Sequence, residues 1–342
     1  MLARRTLLAG SAAAMLAAAS RALPQAPLLR KAPRLRAGDT VGLVAPAGFV
    51  GDRFGVETLI ETVEAMGLKA LPAPHLTSRS GYLAGSDQTR ADDLNAMFLD
   101  DEVKALFAVR GGWGSQRLLP YLDYDLIASH PKLVIGMSDV TALHLALASK
   151  GAAPSIHGPN VAHSWNAEAW SSLRRLAFEG ATPTYGVPQA NEDRLVQRRP
   201  ITTFRGGKAT GRLLGGNLSV LSAMVGTPYL PDFTGAVLFL EETNEAEYRI
   251  DRMLTQLAQG GVLDRVAGVV FGQCTNCRNP GEPYGNFTLP EVMDHHFRPL
   301  DVPAFQGAWI GHIAGQASLP VGVPAEIDAD AGTIRVLEPV VA

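Results

Sequence analysis

Cysteine is scarce in this chain of 342 residues: there are two, Cys274 and Cys277, spaced C-x-x-C. A lone pair cannot fill a four-ligand zinc site, and no histidine pair stands at ligand spacing beside it. A thioredoxin-like dithiol would open a helix, whereas Thr275-Asn276 and Arg278-Asn279-Pro280 read as loop. A local disulfide is compatible with an oxidising compartment, although closing so short a loop stabilises little. Charge is sparse too. Only 18% of the residues are charged and the formal net charge is -3, so neither nucleic acid nor an acidic membrane is indicated as a partner. Beyond the first residues no apolar run is long enough to span a membrane, and no internal repeat is found. What the chain does have is apolar mass. Its 46% hydrophobic content supports a sizeable core, and its length suits two α/β domains of ordinary size.

Residues 1–22 read as an address. Arg4-Arg5 is followed by Thr6-Leu7-Leu8, then an alanine-rich apolar run to Ala19 and the small residues Ser20 and Ala22. The pattern resembles a twin-arginine export signal, and the run is too short to cross about 30 Å of hydrocarbon. Removal after Ala22 and a periplasmic location are expected. Removal after Ala26 is disfavoured by Pro27, and an uncleaved start or a membrane anchor is the alternative.

Past this segment, short apolar runs alternate with glycine-containing loops and helical stretches. Thr40 to Ala47, Ala105 to Val109 and Leu133 to Gly136 read as buried strands. Gly55 to Met66, Arg90 to Leu99 and the segment from Asp139 to Lys150 read as helices, with Gly67 and Gly151 as their closing residues. This is the rhythm of a parallel sheet covered by helices. Residues 31–180 are assigned to an N-terminal domain on that basis. Residues 181–205 are polar and irregular and read as a linker, and 206–342 as a second α/β domain. Within the second domain, Leu214 to Val225 carries a Gly-Gly-Asn turn and a helix, and Ala236 to Leu240 and Val266 to Gly272 are strands.

Four places could carry chemistry. At Gly136-Met137-Ser138-Asp139 a sharp strand-to-helix turn would lift the Ser138 hydroxyl and aim the Asp139 N–H at the same spot, with the helix dipole adding positive potential. The commoner role of a serine there is an N-cap, and Val140 stands where a nucleophile elbow has its second glycine. Arg110-Gly111-Gly112-Trp113-Gly114-Ser115 lets backbone approach a ligand, and Arg110 could clamp a carboxylate; it lacks the Lys-Ser/Thr of a phosphate loop. Glu241-Glu242 closes an apolar strand, where α/β crevices form. Gly311-His312 follows a further strand. The other histidines (His75, His130, His144, His157, His163, His295 and His296) lack such a setting, though His157 before Gly158-Pro159-Asn160 could line a pocket.

Five blocks occur in one order: RGGWGSQRLLPYLDYDLI, PKLVIGMSDVTALHLAL, LLGGNLSVL, LFLEETNEAEYRIDRML and GHIAGQASLPVG. From about Lys31 to the C-terminus the chain resembles the LD-carboxypeptidases, serine peptidases also called muramoyltetrapeptide carboxypeptidases. The resemblance implies an N-terminal α/β domain with a parallel sheet, a C-terminal α/β domain, and an active site in the cleft between them. It implies Ser138 as nucleophile, His312 as base and Glu241 as the acid orienting it, with Glu242 the neighbour to test against Glu241. The backbones of Gly112 and Asp139 would form the oxyanion hole. Neither metal nor cofactor is required. The implied substrate is a murein tetrapeptide cut at its L,D bond to release D-alanine, and a homodimer is implied. A related peptidase acting on a peptide-nucleotide or other amide is the alternative, as is a non-catalytic periplasmic binding protein. The family is associated mainly with cytoplasmic recycling, which stands against the export signal.

Overall fold

The apolar run Thr40–Val44 forms β1, and every residue after the first is buried. Continuous rather than alternating burial marks a strand covered on both faces, as parallel sheets require. The computed structural model describes residues 30–51, 53–186, 201–278 and 287–342. The export signal expected over 1–22 lies outside the described residues, as does most of the stretch read as a linker.

Four more strands join β1: β2 (Lys69–Pro72), β3 (Val103–Ala108), β4 (Leu133–Gly136) and β5 (Ser155–His157). They are mutually parallel, in spatial order β5-β4-β3-β1-β2. The helix between β2 and β3, Asp87–Leu99, starts three residues earlier than its apolar pattern suggests. Ser86 caps it by accepting the Thr89 N–H at 3.1 Å. After β4 the chain makes a 3₁₀ turn over Ser138–Val140 before the α-helix Thr141–Lys150, which Gly151 ends in the left-handed conformation. The α-helix expected from Asp139 is therefore delayed to Thr141.

The two ends of the supposed linker carry short strands of a second sheet, β6 (Thr184–Tyr185) and β7 (Thr202–Arg205). The centre of that sheet is parallel: β8 (Lys208–Asn217), β9 (Val237–Thr243), β10 (Gly268–Thr275) and β11 (Ala304–Gln306). β12 (Leu319–Val321) crosses back and pairs antiparallel with β5 in the first sheet. β13 (Pro324–Asp328) and β14 (Thr333–Val336) then complete the second, in order β6-β14-β13-β8-β9-β10-β11-β7. The molecule is thus a mixed α/β structure with two sheets.

The Gly215-Gly216-Asn217 turn expected from sequence is instead the end of β8. A Cβ on Gly215 would lie 1.8 Å from the Phe239 carbonyl oxygen, and one on Gly216 would lie 2.4 Å from the Thr141 hydroxyl. These glycines serve close approach, not chain reversal. They let β8 press onto β9 and onto the start of helix Thr141–Lys150, where the Asn217 N–H donates to Thr141 Oγ1 at 2.9 Å. The packing continues inward. Leu106 and Val134 from one face of the first sheet share a single buried cluster with Leu214, Phe239 and Val270 of the second. Phe107 and Ile135, on the opposite face, belong to a separate core with Leu43 and Leu173.

Candidate active site

Ser138 sits at the carboxyl end of β4 with φ of 64°, the left-handed region that a non-glycine residue seldom adopts. Such a conformation costs of order 1–3 kcal/mol and persists where surrounding structure imposes it. The imposing contacts are visible. Asn160 Oδ1 accepts the Met137 N–H at 3.1 Å. The buried His144 donates from Nε2 to the Gly136 carbonyl at 2.8 Å, and burial pushes its imidazole down to about 4 despite that bond. The Asp139 carboxylate is also buried, which raises its pKa. It accepts the Ser115 N–H at 2.7 Å and so ties the serine turn to the glycine loop.

That loop, residues 110–114, runs directly beside the serine. A Cβ on Gly111 would lie 2.9 Å from Ser138 Cβ and 3.1 Å from its Oγ. Arg90 steadies the loop from behind by donating to the Gly114 carbonyl at 2.8 Å. Arg110 is exposed and donates to the Phe49 carbonyl at 3.1 Å. Trp113 turns outward, half exposed, with its ring against Tyr82 and the Arg117 guanidinium over it.

Glu241 and Glu242 both lie within β9 and are both buried. His312 Nδ1 meets Glu241 Oε2 at 2.7 Å, across 71 residues of sequence. Gly311 has φ of 110°, and a Cβ there would come within 3.1 Å of Glu241 Oε2, so glycine is what lets the chain pass over the carboxylate. The far side of the loop is held by Thr275, whose hydroxyl donates to the His312 carbonyl at 3.1 Å. Thr275 itself is enclosed by a Cys274–Cys277 disulfide. Burial pulls the His312 imidazole down, but the hydrogen bond and charge of Glu241, with Glu242 behind, leave it above its ordinary value. Glu242 turns elsewhere: it accepts from Asn217 Nδ2, the Ser219 N–H and hydroxyl, and the Thr243 N–H, all within 3.0 Å.

A cavity of about 700 Å³ brings these groups together; its lining includes Ser138, His312, Arg110, Gly111, Gly112, Asn160 and His163. Nothing in the sequence singled out Asn160 or His163. The usable signal was position, since both follow β5, the neighbour of β4, at the carboxyl edge where α/β sheets bind ligands. His157, expected as a possible pocket residue, is instead wholly buried and does not line the cavity.

Known proteins share this chain's sequence patterns and its fold. The pattern of the LD-carboxypeptidase N-terminal domain matches residues 41–158, and that of the LD-carboxypeptidase C-terminal domain residues 210–327. A probable murein peptide carboxypeptidase of Bacillus subtilis (strain 168) is 35% identical, over 86% of this chain and 90% of the relative. The microcin C7 self-immunity protein MccF of Escherichia coli is 28% identical, over 89% and 94% of the two chains. Among solved structures, the muramoyltetrapeptide carboxypeptidase from Oxalobacter formigenes superposes with a TM-score of 0.75 at 26% identity, covering 87% of this chain and 97% of that one. With two domain patterns matched in order and a relative aligned along most of its length, this chain belongs to the LD-carboxypeptidase family.

Proposed function

We propose that the protein is a serine carboxypeptidase that hydrolyses the L,D bond of peptidoglycan tetrapeptides and releases terminal D-alanine. The observation that carries this is the 2.7 Å His312–Glu241 pair opening onto the cavity that Ser138 also lines. An imidazole anchored at Nδ1 by a buried carboxylate has Nε2 free to accept a proton. His312 takes the Ser138 proton as the hydroxyl attacks the scissile carbonyl, then gives it to the leaving D-alanine amine. Water, activated by the same histidine, hydrolyses the acyl-enzyme and restores the serine. Glu241 fixes the tautomer and supports the imidazolium. The N–H groups of Asp139 and Gly112 receive the oxyanion; one such donor is worth about 3–4 kcal/mol of barrier. Arg110, at the cavity wall, pairs with the free carboxylate of the terminal residue.

The murein substrate is supported by the names of the Bacillus subtilis relative and the Oxalobacter formigenes structure. Similarity to the microcin self-immunity protein favours a second reading, hydrolysis of an aminoacyl- or peptidyl-nucleotide. The exposed Trp113, turned out onto Tyr82, offers that substrate no stacking partner inside the cavity. The Arg4-Arg5 segment supports export, where the enzyme would trim stem peptides in the wall as a homodimer. Purified protein incubated with a disaccharide tetrapeptide should release D-alanine. Failure to do so, with turnover of an aminoacyl sulfamoyl nucleoside, would select the second substrate class.

A further inference from the structure

His157 and Glu241 are wholly buried, and both have unmet polar atoms. Neither ring nitrogen of His157 has a hydrogen-bond partner among the described residues, and nor has Oε1 of Glu241. The two face each other: His157 Nε2 lies 4.0 Å from Glu241 Oε1, while the other carboxylate oxygen is taken by His312. Buried polar groups of this kind are costly unless paired. His157 ends β5, one strand from the serine turn, so the sheet that presents Ser138 also presents this ring to the acid on β9.

The surroundings set its protonation state. Phe239 packs edge-on against His157 with centroids 5.4 Å apart, and His144 lies at 6.2 Å. The titratable groups facing it are Glu241, with Glu242 behind, from β9, His144 from helix Thr141–Lys150, and His312 from the loop after β11. Burial, with His144 and His312 adding to it, holds His157 well below the ordinary histidine value. It is therefore neutral and carries one ring proton.

We propose that His157 is a positioning residue for the reaction, donating its Nε2 proton to Oε1 of Glu241 so that Oε2 stays turned to His312. The role rests on the Ser138–His312–Glu241 reading given above. At 4.0 Å the contact is longer than a hydrogen bond, and closing it moves the ring by about 1 Å. Catalytic hydrogen bonds are often long in a resting structure, and this one closes when His312 gives up its proton. The donor matters most while His312 is neutral, because the Glu241 charge is then uncompensated. By stabilising that state His157 lowers the proton affinity of the His312–Glu241 pair, and keeps the base free at lower pH. A histidine that only fills the core would have no such effect.

The test compares wild type, His157→Phe and His157→Gln on one tetrapeptide across pH, with the His312 ring signal titrated by NMR in the same three proteins. In His157→Phe the acid limb of kcat/KM and the His312 titration should both move up by about one pH unit, a tenfold loss of rate on the acid side. In His157→Gln both should return toward wild type, because the amide nitrogen occupies the place of Nε2. A folded Phe variant with neither curve displaced overturns the role. Should the Phe variant not fold, His157→Asn replaces it: its shorter amide cannot reach Oε1, so equal curves for Asn and Gln overturn the role. Wild-type turnover by Ser138→Ala would overturn the serine mechanism instead, and the NMR titration would still decide the His157 contact.

Discussion

Glu241 and Glu242 are neighbours in one strand and bind different partners. Alternation along β9 sends the first to His312 at 2.7 Å and the second to Asn217 and Ser219 at the start of helix Leu218–Ala223, with the N–H of Thr243 on β9 itself. Glu241→Gln should therefore lower kcat/KM by about 10⁴-fold, as the equivalent acid-to-amide change does in a serine protease. Glu242→Gln should leave kcat/KM within about tenfold. It should cost about 2 kcal/mol of stability, because a carboxylate accepting from four donors is replaced by an amide that presents a donor to them. Steady-state kinetics and urea melts on both variants check this; the reverse ranking of rates would move the acid to Glu242.

The left-handed Ser138 yields a paired test. Ser138→Ala should abolish turnover while the protein remains folded, since the proposed mechanism makes the hydroxyl the attacking atom and little volume is lost. Ser138→Gly should also be inactive but more stable than the alanine variant by about 1 kcal/mol, because glycine adopts φ of 64° without strain. Equal melting temperatures for the two would show that no strain is stored at the turn.

Gly111 has no Cβ to collide with the serine, and its backbone needs no special conformation. Gly111→Ala places a methyl 2.9 Å from Ser138 Cβ, which displaces Ser138 or the loop. We expect about a hundredfold loss of kcat with a small change in melting temperature. Full activity in this variant would mean that the loop and the serine turn separate readily.

The pH profile follows from His312. In the proposed mechanism His312 is the base and must be neutral; its imidazole is held above its ordinary value by Glu241, so the acid limb of kcat/KM should lie above about pH 6.5. His312 and His144 contribute to stability in opposite senses. The raised His312 stabilises the fold fully below about pH 6.5, and that contribution is lost as pH rises through its folded value. His144, pushed down to about 4, works the other way. As pH falls below about 6.5 the unfolded chain takes up a proton that the folded chain refuses, so stability drops until about pH 4. Melting curves of His144→Gln and wild type between pH 4 and 8 should converge in shape above pH 7. Identical acid sensitivity would remove His144 from this account.

Much of the local structure was legible in the chain. Apolar runs marked β1, β3 and β4, because strands buried on both faces need continuous hydrophobicity. Gly151 marked the end of a helix because glycine reaches the left-handed conformation without penalty. Family-like blocks named Ser138, Glu241 and His312 before any coordinate. The sequence was silent on other matters. Gly215 and Gly216 looked like a turn, since residue type alone cannot tell a reversal from a place where two backbones touch. Asn160 and His163 looked ordinary, and His157 looked like a pocket residue and not a buried neighbour of Glu241, since their places come from what β5 stands beside. Position in the chain determined which residues could end a strand or cap a helix, because those are short-range steric and hydrogen-bonding preferences. Only the tertiary structure decided that a carboxylate on β9 meets a histidine 71 residues later, because that contact depends on β9, β10 and β11 lying side by side in the second sheet.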